Sequence, residues 1–272
     1  MEARISPLPK GEGPGVRGCA AARWVGVIVG ALLLASPFPA SAGDRMALWR
    51  IVHDKCVPGQ KANGAPAPCV FVDMAEGEDK GVAILKDING IAQFLAIPTR
   101  GVPGVESPDI LNPAPPNYWR AAWAARRYLN ARLPHELPRD AIGLAINAAS
   151  RRSQDQLHIH IDCVAAPVRA ALDAYRANLT ADWHVLPFAL EGRRYWARRL
   201  DSADLSDAAP FQLLREGVAG AKADMAEETL VVIGATFAPD IPGFVLLADH
   251  ADPGAGGHGE DLLDPACAVA AP

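Results

Sequence analysis

The stretch Gln156-Leu157-His158-Ile159-His160-Ile161 alternates polar and apolar residues without a break. In a β-strand successive side chains point to opposite faces and rise about 3.3 Å per residue, so Gln156, His158 and His160 share one face at intervals of roughly 6.6 Å. Leu157, Ile159 and Ile161 then face a hydrophobic core. Two of the chain's seven histidines are thereby committed to one face of one strand. A strand of this kind requires a sheet that is covered on its greasy side. The segment 142–149 (IGLAINAA) supplies a second strand, and the polar loop SRRSQD returns the chain to pair with it.

Upstream, 47–60 opens with a turn or two of amphipathic helix that ends at Pro58-Gly59, and a Gly/Pro-rich loop leads to a strand over 69–74. Residues 81–87 and 93–99 are apolar strands joined through Ile88-Asn89-Gly90, where Asn-Gly is a strong hairpin signal. Residues 117–133 form a helix: Asn117 caps it, and Trp119, Ala122, Trp123, Leu129 and Leu133 fall on one side. Another helix, 167–179, follows the histidine strand. From Trp183 the texture changes to a further α+β unit, with a helix over 207–218 and a terminal hairpin built from 229–237 and 243–250. The tail, 251–272, has the composition of a poorly ordered segment, apart from wherever Cys267 is tied down. The expected fold class is α+β: an antiparallel sheet carrying the histidine strand, helices packed on it, and a smaller C-terminal α+β extension. The expected division is 1–43, 44–182 and 183–272.

Residues 1–43 are of a different kind. Arg17 and Arg23 precede an apolar run from Trp24 to Ala35, and Ala40-Ser41-Ala42 has the small-x-small pattern of a signal-peptidase site. The run is shorter than the roughly 18 residues of a typical membrane span. Ala20 to Phe38 would cross a bilayer only as an uncleaved anchor with Arg23 snorkelling. Cysteine usage agrees with export. Cys19 lies in the targeting segment, leaving Cys56, Cys69, Cys163 and Cys267, an even number with no CxxC pair. Spacing does not fix connectivity. Proximity favours Cys56–Cys69, and Cys163–Cys267 would tie the tail to the end of the histidine strand; each is worth about 2–4 kcal/mol if unstrained. A net charge of −5 with scattered basic residues gives no reason to expect a nucleic-acid partner.

Two imidazoles on one strand face serve as metal ligands, as nucleophile and helper, or as hydrogen-bonded surface residues, and the bare pattern does not choose. The loop 148–155 adds hydroxyl, amide and guanidinium groups of the sort that hold phosphate. QLHIHI resembles the histidine-triad pattern, in which histidines alternate with apolar residues, with Asn147 where that superfamily places an active-site Asn and Ser153 three residues ahead of the triad. Together with LKDINGIAQFLAIPT, ESPDIL, NYWRAAWAAR, AIN, CVPGQ, PAPC, ARR and the Cys that follows HIHID, it resembles the bacterial CDP-diacylglycerol pyrophosphatases. The likeness is good over roughly 46–200 and looser beyond.

That resemblance implies a histidine-triad-like sheet and a reaction on the pyrophosphate of CDP-diacylglycerol, giving CMP and phosphatidate. His158 would attack the cytidine-side phosphorus to give a covalent cytidylyl-histidine. His160 would donate to the leaving or bridging oxygen, and Asn147 and Ser153 would hold phosphate oxygens or orient the imidazole. Gln154, Gln156, Arg152 and Arg126 are further candidates for substrate contact, with Arg151 able to meet negative charge. For Arg126, within the apolar side of its helix, snorkelling or a structural ion pair is the plainer reading. Position 156 departs from the pattern, since a Gln stands where the first triad His is expected. Gln cannot carry a proton at neutral pH, but a phosphomonoester leaving group with a second pKa near 6 needs little protonation.

No metal or other cofactor is required by this chemistry. The resemblance also implies an inner-membrane anchor, with the catalytic domain facing the periplasm and the membrane surface as partner; the alternative is a soluble periplasmic protein after cleavage. Two other functions compete. One is a nucleotidyl transferase or hydrolase acting on another nucleotide conjugate. The other is a periplasmic metal-binding module built on His158 and His160, with Asp162 on the same face.

Overall fold

The computed structural model describes residues 43–111 and 116–271. The targeting segment discussed above lies outside the described residues up to position 42. Among the described residues, no helix is long and apolar enough to cross a membrane.

The polypeptide is organised on one antiparallel sheet of nine strands in the order β1-β2-β3-β5-β4-β8-β9-β7-β6. These are β1 (Phe71–Asp73), β2 (Val82–Lys86), β3 (Phe94–Pro98), β4 (Ile142–Ile146), β5 (Ile159–Cys163), β6 (His184–Val185), β7 (Trp196–Leu200), β8 (Glu228–Phe237) and β9 (Ile241–His250). The α+β class is as expected. Strands from both sides of position 182 belong to this one sheet, because Ile146 of β4 pairs with Leu230 of β8. Residues 42–272 form one compact unit.

Side-chain alternation covers both sheet faces. On one face, Ile84, Phe94, Leu144, Ile146, Ile159, Ile161 and Val232 pack under helix α3 (Tyr118–Asn130) and helix α5 (Pro210–Gly217). The α3 stripe is the one legible in sequence, with Trp119, Ala122, Trp123 and Leu129 buried and the Asn117 side chain accepting the Arg120 N–H at 2.9 Å. The other face carries two separate apolar patches. Ala83, Leu85, Leu95 and Ile97 lie under the N-terminal helices. Ala145, Val231, Ile233, Val245 and Leu247 pack with Val168 and Leu172 of helix α4 (Ala166–Tyr175). Between these patches runs β5, whose side chains on this face are His160 and Asp162.

The N-terminal helix does not stop at Pro58-Gly59. It continues from α1 (Ala47–Ile51) through a π-helical turn (Val52–Cys56) into α2 (Val57–Asn63), and ends where Gly64 adopts the left-handed conformation at φ 68°. A proline inside a helix lacks one N–H and crowds the preceding turn; the wider π turn immediately before Pro58 takes up that misfit. Cys56 is bonded to Cys69 and Cys163 to Cys267, with Cα–Cα separations of 5.6 Å and 5.2 Å. Both expected pairings are present, and they fit an oxidising compartment.

The tail departs from the expectation of disorder. Bridges Asn147↔His258 and Val164↔Leu263 lay it along the sheet beside β4 and the end of β5. Gly259 permits the close approach, since a Cβ there would stand 2.7 Å from Thr229 Oγ1 and 3.0 Å from the Ile146 carbonyl.

Candidate active site

His158 immediately precedes β5, and His160 sits within it, paired across to Leu95 of β3 and Ala145 of β4. Their rings meet nearly edge to face, with centroids 4.8 Å apart and planes at 69°. Both line a cleft of about 260 Å³ in the gap between the two apolar patches, together with Asn147, Ser153, Arg151, His258 and Glu260. Leu48 and Ile51 of α1 and Ile88 and Asn89 of the β2–β3 turn complete its walls. The space suits a polar group with an apolar border.

Hydrogen bonding fixes the proton positions. His158 Nδ1 lies 2.6 Å from the Gln156 carbonyl. A carbonyl only accepts, so the proton is on Nδ1 and Nε2 keeps its lone pair. Burial holds the His158 imidazole below its usual value, against the opposing pull of the Gln156 carbonyl and of Glu260 and Asp87. Neutral His158 therefore presents a nucleophilic nitrogen.

His160 is oriented differently. Gln93 Nε2 donates to its Nδ1 at 2.8 Å and to Glu260 Oε1 at 3.2 Å. Burial, then the imidazoles of His158 and His258, push His160 well below its usual value. The Glu260 carboxylate, 3.0 Å from Nδ1, pulls the other way. That carboxylate is already engaged by Gln93 and by Asn147 Nδ2 at 2.6 Å, and burial of the ring outweighs it. His160 is neutral with its proton on Nε2. This Nε2 is buried and without a hydrogen-bond partner among the described residues. A buried unpaired N–H is costly, and at a cleft it is available to a ligand oxygen.

Of the residues singled out from sequence, the fold brings His158, His160, Asn147 and Ser153 into one cleft lining, with Arg151. Gln156, Gln154, Arg152 and Arg126 are not part of that lining. Gln156 leaves the histidine face because the strand begins only at Ile159. Its amide donates to the Pro98 and Arg100 carbonyls at 3.0 and 2.9 Å and accepts from the Val102 N–H at 3.2 Å. An imidazole offers one acceptor and one donor when neutral and would satisfy fewer of these groups. Gln154 ties the loop to the start of α1, accepting from the Leu48 N–H at 2.8 Å. Arg152 is clamped by Glu106 at 2.6 and 2.7 Å. Arg126 donates to the Trp123 carbonyl and lies over the Trp123 ring, on the sheet face away from the histidines.

Sequence reasoning missed Gln93, His258 and Glu260. The last two come from the tail, and the available signal was Cys267, which through Cys163 brings that tail to the end of the histidine strand. Among the described residues, the three-ligand cluster Asp162, Cys163 and Cys267 includes neither His158 nor His160, and both its sulfurs are spent in a disulfide.

The family model for CDP-diacylglycerol pyrophosphatase matches residues 43–271. The chain belongs to the CDP-diacylglycerol pyrophosphatase family. A curated CDP-diacylglycerol pyrophosphatase from Yersinia pestis is 39% identical over 205 residues, covering 75% of this chain and 76% of that protein. Membership in the CDP-diacylglycerol pyrophosphatase family extends across the tail, so Glu260 and His258 lie inside the matched region along with the histidine strand.

Proposed function

We propose that this chain hydrolyses CDP-diacylglycerol through a covalent cytidylyl-histidine on His158, on a sheet of histidine-triad type. The observation that carries this reading is the 2.6 Å bond from His158 Nδ1 to the Gln156 carbonyl, which frees Nε2 for attack. His158 Nε2 forms a bond to the cytidine-side phosphorus as the bond from that phosphorus to the bridging oxygen breaks. Phosphatidate leaves with the bridging oxygen, and the Nε2–H of His160 hydrogen-bonds the oxygen that gains charge. Water then attacks the same phosphorus and gives up a proton to solvent, the P–N bond breaks with its electron pair returning to Nε2, and CMP departs from neutral His158. Splitting one hard displacement into two easier ones is the advantage of the covalent route. Asn147 acts through Glu260, which it holds against His160, Gln93 bonds both Glu260 and His160 Nδ1, and Ser153 and Arg151 border the phosphate.

This reading sets the chain on the periplasmic face of the inner membrane, because its lipid substrate stays in a bilayer and the chain's two disulfides fit an oxidising compartment. His158→Ala should remove turnover while the protein remains folded, and EDTA should leave wild-type activity intact. Activity lost to EDTA and restored by zinc would favour a metal site on the same histidines. Release of the cytidylyl group to an alcohol in preference to water would favour the transferase.

A further inference from the structure

We infer that the β2–β3 turn, residues 87–92, is a lipid-contacting tip that seats the mouth of the catalytic cleft on the bilayer. The inference rests on the proposed function for its substrate. It adds a membrane-binding element distinct from the N-terminal segment, to which the sequence alone assigned all affinity for membrane.

Ile88 is 98% exposed and Ile91 55% exposed, on the same short turn. Single apolar side chains on a surface are ordinary; here Ile88, with Asn89, forms part of the cleft wall, and Ile91 is exposed three residues on in the same turn. Acyl chains of a lipid whose pyrophosphate lies at His158 can leave past that apolar wall.

The turn's backbone has the second property that contact with hydrocarbon requires. Unsatisfied peptide groups are expensive outside water, so a segment that enters the interface must satisfy them internally. Lys86 Nζ donates to the carbonyls of Asp87, Asn89 and Gly90 at 2.7, 3.2 and 2.9 Å. Arg132 Nε donates to the Ile91 carbonyl at 3.0 Å. The N–H groups of Asp87, Asn89 and Ile91 go to the Gln93 carbonyl, the Asp87 carboxylate and the Pro265 carbonyl. Gly90, at φ 65°, supplies the left-handed residue that closes the turn. Four of the turn's carbonyls and three of its N–H groups are thus engaged, while its two isoleucines are exposed. Lys86 and Arg132 put cations at its base, the depth at which headgroup phosphates lie.

Two measurements on the full chain test this. The first compares hydrolysis of CDP-diacylglycerol in phosphatidylcholine vesicles with hydrolysis of a short-chain, water-soluble CDP-diacylglycerol. Ile91→Ser, a residue outside the cleft lining, should lower the vesicle rate about tenfold, the order expected for losing burial of an isoleucine side chain, and leave the soluble rate unchanged. The second needs no activity: Ile88→Trp should show added tryptophan quenching, relative to wild type, by vesicles of acyl-brominated phosphatidylcholine. Equal losses on both substrates, or no loss on vesicles, would overturn the inference, as would an Ile88→Trp that is quenched no more than wild type. A wild type inactive on both substrates, with Ile88→Trp still quenched beyond wild type, would instead overturn the catalytic reading and leave the tip standing.

Discussion

Asn147 and Glu260 are 113 positions apart in the chain, and their side chains meet at 2.6 Å, with the Glu260 N–H returning to Asn147 Oδ1 at 3.4 Å. The contact joins the end of β4 to the tail and fixes the carboxylate that lies against His160. Glu260 is a positioning residue in this account. His160→Ala removes the hydrogen-bond donor to the oxygen that gains charge and should cost about 10²–10³-fold in kcat. Glu260→Gln acts through that donor and should cost less, on the order of tenfold in kcat with KM little changed. Steady-state kinetics on both variants check the order, and a Glu260→Gln effect confined to KM would contradict it.

The Cys163–Cys267 bridge closes a separation of 104 residues, against 13 for Cys56–Cys69. In the chain-entropy picture the longer loop is worth about 4–5 kcal/mol and the shorter about 3. The longer also anchors the segment that carries His258 and Glu260. Replacing Cys163 and Cys267 by Ala should therefore lower activity at temperatures where the variant is still folded. The equivalent Cys56 and Cys69 replacement should cost stability with less loss of rate. Activity assays beside thermal melts separate the two.

Burial keeps the His158 imidazole below its ordinary value of 6.5. Attack requires the unprotonated Nε2, so the acid limb of the rate profile falls below pH 6.5 and activity persists through neutral pH. A profile of kcat/KM against pH reads the free enzyme. An acid limb centred well above 6.5 would contradict the assignment.

Asp162, on the same strand face, is raised from 3.8 to about 7, first by burial and then by Asp264 and Asp87, against the pull of the Cys163 N–H and of Lys86. In that window the folded chain holds a proton that the unfolded chain has lost. Stability contributed by this group is thus complete below about pH 4, declines as pH rises, and reaches its full penalty above about 7. Asp162→Asn should flatten that decline and raise the melting temperature relative to wild type at pH 8 more than at pH 5. Melts across this range test it, and parallel pH curves for the two proteins would refute it.

Short-range pattern carried much of the fold and part of the site. The alternation at 157–161, the Asn-Gly turn and the capped stripe of α3 are all local, and each appears where the residues place it. Long-range partners were not legible. Nothing near Gln156 indicates that its amide bridges residues 98–102, since that depends on where the chain after β3 passes. The tail reads as solvated because it is rich in Gly, Pro and acids. Its order comes from backbone bridges to Asn147 and Val164, from the bond to Cys163 and from the small residue at Gly259. For the same reason Glu260 was invisible as a partner of His160, although the His158–His160 pair itself was plain.

The most direct test of the central claim is to trap the intermediate. CDP-diacylglycerol labelled in the cytidine-side phosphate, mixed with excess enzyme and quenched rapidly at alkaline pH, should leave label on the protein that is stable to base and labile to acid. Peptide mapping should locate it on His158, and His158→Ala should carry none. Turnover by wild type with no protein-bound label at any quench time, or label on another residue with His158→Ala still active, would contradict the account.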